Sequence, residues 1–271
     1  MKEQETLHDR LWLWGQSPNG HWNNPNIYNL PYESRMTAVE GLYYFDIPNI
    51  CRVRIHGHPM PPYDQESIAM RPAKQVVWSL LGAGAEPCTE WGDLEEVVKQ
   101  SKIYDNITGG VFDDFIQEDR LKHFTPKKLQ ELKDRLCEEA GRHLDMWVVV
   151  YEYAFDQVPN LKDYLQVFDV ISFWTWEGSK LKNVKEYFDK IREMAPGKRL
   201  MAGCYMWNYG EACPLTLEQM QEQCDFYLDY IKKGYIEGIV VCSNCIADLG
   251  IEAVEWMRNW IQEHKDIVIV K

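Results

Sequence analysis

Short apolar runs recur eight times along the chain, at 11–14, 50–55, 76–81, 107–115, 146–152, 170–176, 200–207 and 238–243. Each stops at a cluster of polar and aromatic residues, and each is followed by a stretch of helical character. Strands alternating with helices over a whole chain predict a parallel sheet covered by helices. Eight such units in about 250 residues match the arithmetic of an α/β fold of one kind, a single (β/α)8 or TIM barrel, whose active site lies at the strand C-termini. The whole chain, 1–271, is expected to form this one domain, since no linker, low-complexity segment or repeat interrupts it.

Local punctuation supports the helices. Ser34 is expected to cap a helix running to about Phe45, and a second helix is expected over 61–74. Asp93 is read as the cap of the helix starting at Leu94. Thr125-Pro126 opens another with proline at the first helical position, where a missing N–H costs nothing. Ala195-Pro-Gly197 stops the sixth, and Gly234 the seventh. Only one loop is unusually long. Residues 15–31, rich in Asn, Gly, Pro and aromatics, include His21, Trp22 and Tyr28. Loops of that length in compact domains commonly carry function.

Composition narrows the partners. The 271 residues carry a formal net charge of −13, which disfavours nucleic acid and anionic membranes, because binding to phosphate backbones depends on a basic surface. A neutral small-molecule substrate fits better. No run approaches the roughly 18 apolar residues of a membrane span. The polar N-terminus lacks an apolar signal core, so a cytoplasmic location is the default. Eight cysteines lie mostly in apolar strands and helices, where a free thiol behaves as a small hydrophobe. Cys242-Ser-Asn-Cys245 has no second pair at zinc spacing, so reduced thiols are expected.

Placing the end of each run at the barrel mouth nominates chemistry directly. The fourth run is the sharpest: apolar residues lead straight into Asp113 and Asp114, then Phe115. Side chains alternate along a strand, so one aspartate should face the axis and the other the helix layer or loop amides. The bland alternative is two solvated or capping carboxylates. Glu152 shares the parity of Val148 and Val150, which would place it inward at the top of the fifth strand; a surface glutamate is the competing reading. Glu177 is a weaker reserve. Paired carboxylates across a barrel mouth suit glycoside hydrolysis, with the two groups about 5 Å or about 6.5–9.5 Å apart. The aromatics Trp14, Trp22, Trp174, Trp176, Tyr205, Trp207 and Tyr209 would offer flat faces to a sugar ring, although some are expected to be packing residues. His21, Arg54, His56, Tyr151, Asn208 and Asn244 complete the candidate binding groups.

His56-Gly-His58 invites a metal reading, but later strands supply no further histidine, so no metal and no cofactor is expected. No G-x-S-x-G elbow supports a serine nucleophile, and Gly82-Ala-Gly84 is too short for a phosphate cradle.

The segments 109–115, 173–176 and 203–210 together resemble a family of bacterial TIM barrels of unassigned activity, grouped loosely with glycoside-hydrolase-like barrels. The resemblance spans nearly the whole chain and implies the fold and a carbohydrate ligand. It stops short of a catalytic assignment. The seventh run ends in Tyr205, Trp207 and Asn208 rather than a nucleophilic glutamate, and the fourth lacks the full D-x-x-D-x-D-x-E pattern of chitinase-like barrels. The reading is therefore a glycoside-hydrolase-like barrel acting on a neutral carbohydrate through Asp113 or Asp114 with Glu152. A metal-dependent sugar isomerase or epimerase and a non-catalytic carbohydrate-binding barrel are the alternatives.

Overall fold

The computed structural model describes residues 4–22, 25–83 and 89–270. Eight parallel strands close into a barrel: β1 (Leu11–Gly15), β2 (Asn49–Arg52), β3 (Gln75–Leu81), β4 (Ile107–Phe112), β5 (Asp145–Tyr151), β6 (Val170–Trp174), β7 (Arg199–Tyr205) and β8 (Gly238–Cys242). Each pairs with its sequence neighbours, and β8 closes on β1 with Trp14 opposite Cys242. The expected (β/α)8 architecture is present.

The barrel interior is filled by large rings where branched aliphatics are the usual choice. Trp12 of β1 meets Trp147 of β5 across the axis at 4.8 Å between ring centroids, and Trp14 meets Trp174 of β6 at 5.4 Å. Space for them comes from the facing backbone. A Cβ added at Gly203 of β7 would lie 2.0 Å from the Trp174 ring, so the glycine is where the indole seats. On the outer side of β4, Phe112 packs edge-on against Phe115, Phe124 and Phe168.

Several boundaries differ from expectation for local reasons. The first helix starts at Ala38 under a Thr37–Glu40 capping box, and Ser34 donates instead to Asp248 at 2.6 Å. β2 stops at Arg52, because Ile55 and His58 exchange backbone hydrogen bonds around His56 and Gly57, both at positive φ. The second helix shrinks to Asp64–Ala69, after Pro59, Pro61 and Pro62 have removed backbone donors. Asp93 precedes its helix but makes no side-chain cap; its carboxylate takes Arg54 and Tyr63. The helix Pro126–Ala140 follows its signals, with the Thr125 cap, proline at its start and Gly141 left-handed at φ 72°. Past β7, residues Trp207–Asn208 and Cys213–Pro214 pair as a small antiparallel ribbon. No helix among the described residues is long and apolar enough to cross a membrane. The seven described cysteines are free thiols; Cys88, like Asn23, Asn24 and Gly84, lies outside the described residues.

Candidate active site

A cavity opens at the C-terminal mouth of the barrel. It is lined by Trp14, Gln16, His21, Tyr28, Ile55, Ala83, Asp113, Asp114, Tyr151, Trp176, Tyr205, Tyr209 and Cys242. Both aspartates of the fourth unit reach it. Asp113 continues the inward parity of Gly109 and Val111, whereas Phe112 faces the helices. Strict alternation would turn Asp114 away. It instead adopts a left-handed backbone with φ 43°, a conformation an L-residue holds only where its surroundings fix it. Two contacts do so. The buried Arg120 Nη1 donates to the carbonyl oxygens of Asp113 (2.6 Å) and Asp114 (3.1 Å), and the Asp114 N–H donates to Asp113 Oδ1 at 2.8 Å. The two carboxylates are thereby presented side by side.

Tyr151 connects the pair to the aromatic wall. Its hydroxyl donates to Asp114 Oδ1 at 2.9 Å, and its ring stacks on Tyr153 and meets Trp176 edge-on. Burial pushes the Tyr151 and Tyr205 hydroxyls well above the ordinary phenol range, and the aspartate charges add to both. They are donors throughout the physiological range, not bases. Across the cavity the described parts of the long loop, 15–22 and 25–31, fold inward. Tyr209 and His21 Nδ1 share a 2.5 Å hydrogen bond, and Tyr28 packs edge-on against Tyr209, His21 and Trp176. Trp207 pins the loop by donating its indole N–H to the Tyr28 carbonyl at 3.0 Å. Burial, with a smaller contribution from nearby His56, lowers His21 from 6.5 to about 3. His21 is therefore neutral at ordinary pH.

Of the residues nominated from sequence, Trp14, His21, Asp113, Asp114, Tyr151, Trp176, Tyr205 and Tyr209 meet at this cavity, joined by Tyr28 of the long loop. Glu152, Glu177, Arg54, His56, Trp174, Trp207, Asn208 and Asn244 are not among its lining. The inward parity assigned to Glu152 was inverted: Trp147 fills the axis and Tyr151 lines the mouth, so Val148 and Val150 belong to the other face. Glu152 is buried, accepting the Trp176 N–H at 2.9 Å and facing Lys180 at 3.3 Å; Glu177 also takes Lys180, at 2.8 Å. That fixed cation departs from the few charge partners expected of a catalytic carboxylate. Arg54 donates to Asp93 at 2.6 Å, and His56 is exposed on its turn. Trp174 is packed in the barrel interior. Asn208 accepts from the amides of Gly178 and Glu211, and Asn244 bonds both backbone groups of Gln16 and the Met36 carbonyl. These two asparagines hold loops.

Gln16, Ile55, Ala83 and Cys242 line the cavity without having been nominated. Gln16 carried a readable signal, lying two residues beyond Trp14 at the same parity. Ile55 ends the second apolar run but, being aliphatic, suggested no chemistry, and Ala83 arrives through a turn that no periodicity marks.

A larger concavity of about 700 Å³ lies at the opposite end of the barrel. Its cations are already engaged: Arg10 with Glu5, Arg199 with Asp145 and Glu237, and Arg142 with three backbone carbonyls. At that same end His143, Asp145 and Asp169 approach one another closely enough to share an ion, yet Arg199 and Lys133 already bind the two carboxylates.

No protein-family model matches the chain, and no curated protein matches it in sequence. Solved structures do match in shape. A glycoside hydrolase family 18 N-acetylglucosaminidase from Paenibacillus barengoltzii superposes with a TM-score of 0.56 at 12% identity, over 92% of this chain and 99% of that one. A family 18 chitinase from Pseudoalteromonas aurantia gives 0.54 at 9%, over 93% and 99%. An α-L-arabinofuranosidase from Thermotoga maritima gives 0.53 at 11%, over 90% and 67%. The protein has the barrel that these glycoside hydrolases share. At such identities the likeness is one of fold.

Proposed function

We propose that the protein hydrolyses the glycosidic bond of an N-acetylated amino sugar, with Asp113 and Asp114 as its catalytic carboxylates. The observation that carries this reading is their placement: consecutive residues, both lining one cavity walled by Trp14, Tyr28, Tyr151, Trp176, Tyr205 and Tyr209. Aromatic walls suit the C–H face of a sugar ring, and hydroxyl donors around a carboxylate suit its polar edge.

The pairing bears on mechanism. Two-carboxylate glycosidases place their groups on opposite sides of the scissile bond. Here both groups come from one strand end, and no other carboxylate lines the cavity among the described residues. The nucleophile is then supplied by the substrate, through the carbonyl oxygen of its 2-acetamido group. One aspartate holds and polarises that amide while its oxygen bonds to the anomeric carbon. The other gives its proton to the departing glycosidic oxygen as the C–O bond breaks. Water then attacks the anomeric carbon, returns a proton to the same aspartate, and reopens the ring to the acetamido sugar. The first neighbour described above is named as an N-acetylglucosaminidase, which agrees with this substrate class. Glu152, Lys180 and Glu177 serve in this reading to hold the Trp176 backbone against the cavity.

The test uses 4-nitrophenyl N-acetyl-β-glucosaminide beside the corresponding β-glucoside. Turnover of the first and not the second is expected. Asp113→Asn and Asp114→Asn should each lower kcat by roughly 10²–10⁴, the usual worth of a positioned acid or base. Equal turnover of the glucoside would remove the acetamido step, and near-native activity in both variants would remove the assignment.

A further inference from the structure

The mouth cavity ends blindly. Below it the axis is plugged by Trp14 on Trp174 and, deeper, by Trp12 on Trp147. On one side Tyr28 and His21 of the long loop are held down by their hydrogen bonds to Trp207 and Tyr209. The volume enclosed is about 70 Å³, room for roughly five to seven water molecules at about 10–15 Å³ each. One sugar ring displaces about that much water; a second ring does not fit beside it.

A polar group waits inside. Gln16 is 2% exposed, lies at the end of β1 and lines the cavity. Its Oε1 accepts the Cys245 thiol at 3.0 Å, and its backbone is clamped on both sides by Asn244. The Gln16 Nε2 has no protein acceptor among the described residues. That N–H pair opens onto the cavity, where a ligand oxygen would take the place of water as its acceptor.

We infer that this is a one-ring pocket that takes the terminal sugar of its substrate, with the Gln16 amide donating to an oxygen of that ring. The inference rests on the carbohydrate reading above and adds to it: action from a chain end, releasing single sugars, with Gln16 as a specificity-determining residue. A cleft for internal cleavage would need sites for rings on both sides of the scissile bond, whereas a cavity of about 70 Å³ holds one.

Binding tests it without requiring turnover. Calorimetry on the native protein would compare N-acetylglucosamine with its sulfur-linked di- and trisaccharides, which resist hydrolysis. The three dissociation constants should agree within about threefold. Gln16→Met, matched in length but unable to donate, should weaken all three by roughly fivefold, the worth of one hydrogen bond, with an unchanged melting temperature. Tenfold or greater tightening with chain length, or no binding of any of the three, would overturn the inference, as would native affinity in Gln16→Met. Cleavage of the aryl glycoside together with internal cuts in a linear oligomer would overturn the one-ring pocket and leave the activity standing. Length-independent binding without turnover would do the reverse.

Discussion

His21 makes the folded protein sensitive to mild acid in a calculable way. Its ring is buried against Tyr28 and Tyr209, with Nδ1 in a hydrogen bond to the Tyr209 hydroxyl. In the unfolded chain it titrates near 6.5; in the fold, burial foremost and then His56 hold it near 3. A lowered histidine pKa means that the unfolded state binds the extra proton throughout the interval between those values. Stability from this group is therefore complete above about pH 6.5 and drains away as pH falls toward 3. The limiting slope is about 1.4 kcal/mol per pH unit, so the loss of stability between pH 6.5 and 4.5 should reach about 2.3 kcal/mol from His21 alone. Against a total of about 5–15 kcal/mol for a typical domain, that is a large share. Every acidic group also titrates in this window, so the assay must be differential. His21→Asn places an amide oxygen where Nδ1 stood, keeps an acceptor for Tyr209, and does not titrate. Urea unfolding of both proteins at half-unit steps from pH 7.5 to 4.5 gives the comparison. The variant should start less stable, having lost ring packing, and the gap should close by about 2.5 kcal/mol at the acid end. Parallel stability curves would show that His21 protonates freely in the fold, and the reasoning about its burial would fail.

Other expectations follow from single contacts. Glu152→Gln keeps an acceptor for the Trp176 amide and removes the buried charge facing Lys180; it should cost about 1–3 kcal/mol in denaturant unfolding while turnover stays within tenfold. A loss of several orders of magnitude would return Glu152 to the chemistry. Gly203→Ala drives a methyl into the Trp174 ring, which other rings hold in place, and should destabilise by about 1–3 kcal/mol or more; an unchanged thermal melt would mean that the indole can move. Elemental analysis should find no stoichiometric zinc or manganese, and dialysis against a chelator should leave the melting temperature unaltered. One bound transition metal per chain would promote the isomerase reading.

What the sequence made legible followed from period and punctuation. Eight apolar runs located all eight strands, because a strand buried on both faces needs an unbroken apolar stretch and a helix between strands needs its own caps. The eight nominated residues that do meet at the cavity sit at or shortly past strand ends, apart from His21 in the long loop, where topology alone brings them together. The failures share a different cause. Parity put Glu152 inward because valines looked like barrel filling, whereas this barrel is filled by tryptophan, with Gly203 making the space; the alternation rule held and its phase was misjudged. Asp114 escaped the same rule altogether, since Arg120 fixes a left-handed turn that no local pattern announces. Polar residues such as Asn208 and Asn244 looked like ligand groups for a further reason. A buried amide that satisfies loop backbone and one that meets a ligand have the same residue type and the same position at a strand end. Only the count of donors and acceptors separates them: both asparagines are fully used within the protein, while the Gln16 amide N–H groups have no protein acceptor among the described residues and open onto the cavity. The distinction between scaffold and site in this mouth is therefore a matter of hydrogen-bond accounting across loops, which is long-range information that neighbouring residues do not carry.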